Sequence, residues 1–252
     1  MFLEISAKVK SYQAMKGRNY MNALMLLNNI ITNIDISLNY GELHFQTGDE
    51  FSVTYENMDE KEYDIKQEGN CLSIHSKRRG AIRFFGKVSD VTPVIRITSP
   101  AEHIFENIVL ATGACEISAA TLTTNHFSLK TGAGEFHANE LNVSEHASIK
   151  SGAGELSIAT GNIHNLEISS GAGEVDIHAT LTGSSTITAG VGEINLQLLG
   201  NPDDYSATVA KGIGNLSVNG FNSGNGMTYG TGPNHLNVTG GVGEIRISFS
   251  EI

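Results

Sequence analysis

Tryptophan is absent from this 252-residue chain, proline appears four times and cysteine twice. Two thiols cannot make a disulfide framework in so long a chain, and neither Cys71 nor Cys115 stands in a metal or redox spacing, so both are expected as small core residues. No run of eighteen apolar residues occurs, which excludes a membrane-spanning helix of ordinary length. Basic residues are also scarce: 16 Lys/Arg against 27 Asp/Glu give a formal charge of -11. The imbalance is local, because residues 1 to 110 carry 12 against 14 and residues 111 to 252 carry 4 against 13. An acidic second half argues against nucleic acid as a partner, since phosphate binding needs a basic face.

Leader and enzyme signatures are missing as well. Lys8, Lys10, Lys16 and Arg18 precede the short apolar run Ala23 to Leu27, but Asn22, Asn28 and Asn29 bound it and no small-x-small cleavage site follows. The expected location is therefore the cytoplasm or the cytoplasmic face of a cell envelope rather than the exterior. Gly-x-Ser-x-Gly and a Gly-Lys-Ser phosphate loop are absent, so neither a nucleophile elbow nor a nucleotide cradle is expected.

What the chain does have is one recurring phrase. It reads Gly113-Ala114-Cys115-Glu116-Ile117, Gly132-Ala133-Gly134-Glu135-Phe136, Gly152-Ala153-Gly154-Glu155-Leu156, Gly171-Ala172-Gly173-Glu174-Val175 and Gly190-Val191-Gly192-Glu193-Ile194. Gly212-Ile213-Gly214-Asn215-Leu216 loses the acid, and Gly241-Val242-Gly243-Glu244-Ile245 restores it. The first glycines are 19, 20, 19, 19, 22 and 29 residues apart, and a fixed period near twenty is the mark of a stacked array. Around Gly152, Ile149, Ser151 and Ala153 share one parity whereas Leu156 and Ile158 share the other. A strand cannot change parity without a bulge or corner, and glycine takes the required backbone angles cheaply. The phase slip places that corner at Gly154-Glu155 and its equivalents, with Ala153 turned inward.

The expected fold is all-β: a single-stranded β-solenoid with rungs of about 19–20 residues behind a short N-terminal strand or helix cap. Residues 1–33 form that cap. Alternation from Leu3 to Val9 predicts a strand, and Ala23, Leu24, Leu27 and Ile31 can share one helical face. Residues 34–252 form the solenoid, with less regular rungs over 34–110 and the repeats over 111–252. Period two at Ile34 to Leu38, Leu43 to Phe45, Phe51 to Tyr55, Tyr63 to Ile65, Leu72 to Ile74 and Val94 to Ile97 predicts strands. Glu56 to Glu62 reads as a loop, and so does the basic stretch Lys77 to Lys87 with Phe84 and Phe85. Leu122, Leu141 and Leu166 are expected in buried columns, the span Gly220 to Gly232 as a long loop, and Ile245 to Phe249 as the closing strand.

Stacked rungs would align Glu116, Glu135, Glu155, Glu174 and Glu193. Like charges about 5 Å apart repel by roughly 1 kcal/mol in water. Backbone N–H groups at the glycine corners, solvent or divalent cations could relieve that repulsion, and the corner placement favours backbone donors. Calcium nonapeptide repeats fit poorly, since only Gly240-Gly241-Val242-Gly243-Glu244 approaches their pattern, with the acid one position early. The nine histidines keep no repeat spacing and are expected on outward strand positions. No catalytic residue, cofactor or metal ligand is expected, and the glycines and glutamates of the phrase are read as structural corners.

The recurring Gly-Ala-Gly-Glu-apolar phrase, with Tyr40-Gly41-Glu42-Leu43, Leu72-Ser73-Ile74 and Val94-Ile95-Arg96-Ile97 before Ser99-Pro100, resembles the bacterial putative-adhesin β-strand-repeat domain. That domain is of unknown function and related to the toastrack-type domains of cell-envelope stress proteins. The resemblance runs from Ile34 to Phe249 and implies a β-solenoid of bacterial origin without assigned catalytic residues. It implies a non-enzymatic binding or scaffolding module in envelope adhesion or stress sensing, with a protein or glycan partner, a membrane-protein partner or further copies of itself. A β-helix carbohydrate-active enzyme using paired carboxylates and a structural filament unit are the alternatives.

Overall fold

Inward positions along the repeats are mostly apolar, with isoleucine, valine and leucine the commonest, which favours extended chain with one face covered. The computed structural model describes residues 8–11, 21–26, 31–58, 62–77 and 92–250, the first two as backbone pairing alone. In chain order the strands are β1 (Lys8–Ser11), β2 (Met21–Leu26), β3 (Asn33–Thr47), β4 (Ser52–Met58), β5 (Tyr63–Glu68), β6 (Cys71–Ser76) and β7 (Val94–Ser99). They continue with β8 (Ile104–Ile158), β9 (Asn162–His164), β10 (Leu166–Thr182), β11 (Ser184–Leu199), β12 (Tyr205–Val218), β13 (Phe221–Ser223), β14 (Gly226–Tyr229) and β15 (Asn234–Ser250).

The solenoid is built by parallel pairing of equivalent positions. Ile168 of β10 lies between Ile149 of β8 and Ile187 of β11, and Val238 and Val209 continue the column. Leu156, Val175, Ile194, Ile245 and Leu216 make a second column in the same order. All of these side chains are at most 4% exposed, and burying each is worth roughly 1.5–3 kcal/mol. One rung cannot hide its apolar face, and the rungs on either side do so. Leu122, Leu141 and Leu166 are all buried, but Leu166 sits beside Ala147 and so belongs to the next column.

Both ends depart from simple winding. At the N-terminal end β3 carries two separate neighbours on its outer edge, β6 along Asn33–Ser37 and β7 along Glu42–Thr47. β6 is followed by antiparallel β5, and β7 by antiparallel β4, β2 and β1, so the stack forks into two arms. Residues 21–26 are therefore a strand, not part of a helix: pairing with β4 overrides the weak helical periodicity. Glu56 to Met58 likewise extend β4, because Glu56 pairs with Val94 and its carboxylate is 2.7 Å from Arg96. The expected strand from Leu3 to Val9 and the basic loop fall largely outside the described residues.

At the C-terminal end the chain skips a place. β12 leaves one gap beyond β11, and β15 returns to fill it, parallel to both. The stack therefore ends on β12, with β13 and β14 paired antiparallel to it, and β15 does not close it as expected. The glycine-rich span after Val218 forms those two short strands and their turns.

Candidate functional site

The recurrent phrase forms a corner, displaced from its expected position. Two successive residues, Gly152 and Ala153, face outward, and Gly154 is the first to turn in again. Ala153 and its equivalents are thus exposed, including Val191 at 54% and Val242 at 47%. Parity alone could not separate an inward Ala153 from an outward one. The second glycine carries the constraint: Gly154 has φ +126, and a Cβ on it would lie 1.8 Å from the Gly134 carbonyl oxygen of the rung below. Rungs can approach this closely only where no side chain intervenes. Cys115 replaces that glycine in the first repeat, is buried, and has its thiol pushed up to about 12 by burial. Cys71, expected in the core, is only half-buried.

The glutamates do form a column. Glu42 pairs with Glu116, and Glu155, Glu174, Glu193 and Glu244 follow one another, with Asn215 at the end. For Glu42, Glu135 and Glu244 a histidine or arginine two residues further along the strand stands beside the carboxylate, and Glu155 and Glu193 are met by such a side chain from a neighbouring rung. His44 Nε2 lies 3.2 Å from Glu42, and its Nδ1 lies 2.6 Å from Ser118 Oγ. His137 stands between Glu135 at 3.3 Å and Glu155 at 3.9 Å. Arg246 bridges Glu244 and Glu193, the latter at 3.4 Å. Period two makes residues i and i+2 share a face, which is the spacing that brings these groups together. Among the described residues no three His, Cys, Asp or Glu side chains are placed to hold a metal ion.

A different region forms a cleft. Its volume is about 450 Å³, and it lies on the outward face of β11, β15, β12 and β14. Ser184, His235 and Ser206 are register partners across three strands, and Thr186, Asn237, Thr208 and Thr228 form the next row across four. A third row of Thr188, Thr239 and Ala210 continues the face. Ser206 Oγ is 2.7 Å from His235 Nδ1, so the serine hydroxyl is tied to the imidazole. No carboxylate, lysine or arginine lines the cleft.

Inward residues of the same strands fix its floor. Tyr205 is 2% exposed, donates its hydroxyl proton to the Leu199 carbonyl at 3.0 Å and accepts from the Leu181 N–H at 3.4 Å. Burial pushes its phenol pKa up. Phe249 packs between Tyr205 and Tyr229 at ring-centroid distances of 5.3 and 5.0 Å. Gly230, at φ +63, lets the chain leave β14 over the Tyr205 carbonyl, which a Cβ would meet at 2.1 Å.

The expected corner residues are brought together, then, but as a ridge. The cleft residues went unrecognised in sequence because they come from four separated segments. A signal existed: Thr186-x-Thr188, Ser206-x-Thr208 and His235-x-Asn237-x-Thr239 alternate polar with apolar residues in phase. Histidines mostly occupy outward positions, as expected. His103 is the exception, packed edge-on between Phe51 and Phe105 at 4.6 and 4.5 Å.

Comparison with known proteins bears on the fold. The family model of Toastrack DUF4097 matches residues 31–232. Among solved structures the chain is similar to a putative cell adhesion protein from Clostridium sporogenes, with 18% identity, 97% of this chain and 100% of that one covered, and a TM-score of 0.34. A putative adhesin from Bacteroides fragilis shows 14% identity, coverage of 97% and 98%, and a TM-score of 0.38. A putative lipid binding protein from Parabacteroides distasonis shows 11% identity, coverage of 97% for both chains, and a TM-score of 0.27. No curated protein matches.

Proposed function

Since the chain belongs to the Toastrack DUF4097 family, whose function is unknown, we propose that it is a non-catalytic binding module of a bacterial cell envelope that engages a partner through an outward sheet face. The observation that supports this reading is the cleft on the β11–β15–β12–β14 face, a concavity of about 450 Å³ carried mainly by strands. Its size falls within the roughly 300–1,000 Å³ typical of ligand sites. β15 and β12 are paired on both sides and hold their surface groups in fixed positions, which favours recognition by reducing the ordering cost on binding. The cleft lacks the carboxylate pair that glycoside hydrolysis needs, and the glutamate column runs along an exposed corner.

The test is cross-linking in intact cells of the bacterial host, followed by fractionation and protease protection. Envelope association, with cross-links mapping to residues 184–188, 206–208 or 226–239, is the expected result. The protease arm decides between the expected cytoplasmic side and the outer side. Recovery solely from the soluble fraction, with no cross-linked partner, would overturn the proposal.

A further inference from the structure

We infer that the cleft on β11, β15, β12 and β14 binds a neutral glycan. The inference rests on the binding-module reading above and names the ligand class of that site. The chain carries a formal charge of -11, yet the cleft is lined by no carboxylate, lysine or arginine. A phosphate, sulfate or lipid headgroup would meet no lysine or arginine there: the one imidazole of the lining, His235, is engaged at Nδ1 by Ser206, and the closest lysine in sequence, Lys211, is buried and donates inward to the Gly214 carbonyl. A basic peptide would find its counter-charge at the glutamate column, on the other side of the corner. What remains is a ligand whose own groups are uncharged donors and acceptors.

The lining fits such a ligand group by group. Ser206, Thr208 and Thr228 each offer a hydroxyl able to donate one proton and accept others, and Asn237 offers an amide with separate donor and acceptor ends. Sugar hydroxyls have the same dual character. Register sets the rows about 4.8 Å apart between strands and roughly 6.6 Å apart along them, so hydroxyls recur at spacings that a short saccharide can bridge, directly or through one water. The Ser206–His235 contact at 2.7 Å positions the first of these side chains in advance. Thr208 and Thr228 are direct partners across β12 and β14, and both are exposed.

The experiment is calorimetric titration of the full chain with maltohexaose, cellohexaose and chitohexaose, beside phosphatidylglycerol vesicles and inorganic phosphate. The comparison is with Thr208→Val/Thr228→Val and with Asn237→Ala. Valine keeps the branched strand side chain, so thermal melting should stay at the wild-type midpoint. Binding of at least one hexasaccharide, weakened tenfold or more in both variants and unchanged in Glu174→Gln, is the expected result. No binding of any hexasaccharide, equal binding by wild type and variants, or binding of the vesicles or phosphate alone would overturn it. If the valine variant loses its cross-linked envelope partner while no hexasaccharide binds, the glycan assignment fails and the binding-module reading stands. If a hexasaccharide binds in the cleft but no envelope partner is found, the envelope reading alone fails.

Discussion

Single residues carry unequal weight here, and glycine shows it most directly. Gly173 combines φ +130 with a Cβ position 1.8 Å from the Gly154 carbonyl oxygen. Gly173→Ala must strain the backbone and push two rungs apart, and a cost on the order of 3–5 kcal/mol is expected. Gly224→Ala, where nothing lies within 4 Å and φ is unremarkable, should change the urea midpoint little. His103 makes a pH prediction. Burial lowers its pKa, and the hydrogen bond from its Nε2 to the Ile31 carbonyl at 2.6 Å opposes that only in part. The unfolded chain takes up this proton near pH 6.5 while the folded chain resists, so stability falls as pH drops from about 6.5 toward the folded value. The slope from this one group is bounded at about 1.4 kcal/mol per pH unit. Urea unfolding at pH 7.5 and 5.5 should show a smaller loss in His103→Gln than in wild type, and an equal loss would refute the assignment.

Elements are specified by what they pair with more than by their own propensities. β2 reads in sequence as part of an amphipathic helix and becomes a strand because β4 offers it an edge. β15 has no stronger local preference for its place than any other rung, and the aromatic contacts beneath the cleft hold it there. Phe249→Ala would remove the packing between Tyr205 and Tyr229 and cost about 2–3 kcal/mol, since the ring is only partly buried. Hydrogen exchange should quicken in β12, β14 and β15 and stay at its wild-type rate in β8. Uniform acceleration through the stack would show instead that the rungs unfold as one unit. The Arg246 bridge between Glu193 and Glu244 lies at the surface, where such pairs are worth at most about 1 kcal/mol, so it tunes the column without holding the stack.

At the scale of the whole molecule, the chain is a stack of near-equivalent rungs between two unlike ends. The N-terminal end forks where β6 and β7 take separate stretches of β3, and Pro93 faces the corner between them: its carbonyl accepts from the Glu42 N–H at 2.9 Å and would meet a Cβ on Gly41 at 2.7 Å. The C-terminal end carries the short strands β13 and β14, where Phe221 is 75% exposed, and the corner residue Ile213 of β12 is 72% exposed. Polarity is distributed just as unevenly, with carboxylates along one side of the corner and an uncharged hydroxyl face beyond the other.

The sequence by itself determined the rung. Its period, the glycine corner, the parity slip and the inward columns are all local consequences of side-chain size and backbone freedom, and each could be read at Gly152-Ala153-Gly154-Glu155 without a neighbour in view. Only the tertiary structure decided which residue of the corner faces out, which side chains quiet the glutamates, and in what order the last rungs stack. The physical reason is degeneracy: rungs of one pattern can pair with one another at nearly equal local energy, so order is settled by fit. Lys211 shows such a fit, its buried side chain paired in register with Gly240 and donating to the Gly214 carbonyl. By inserting β15 between β11 and β12, that order assembles the cleft from segments that no stretch of sequence holds together.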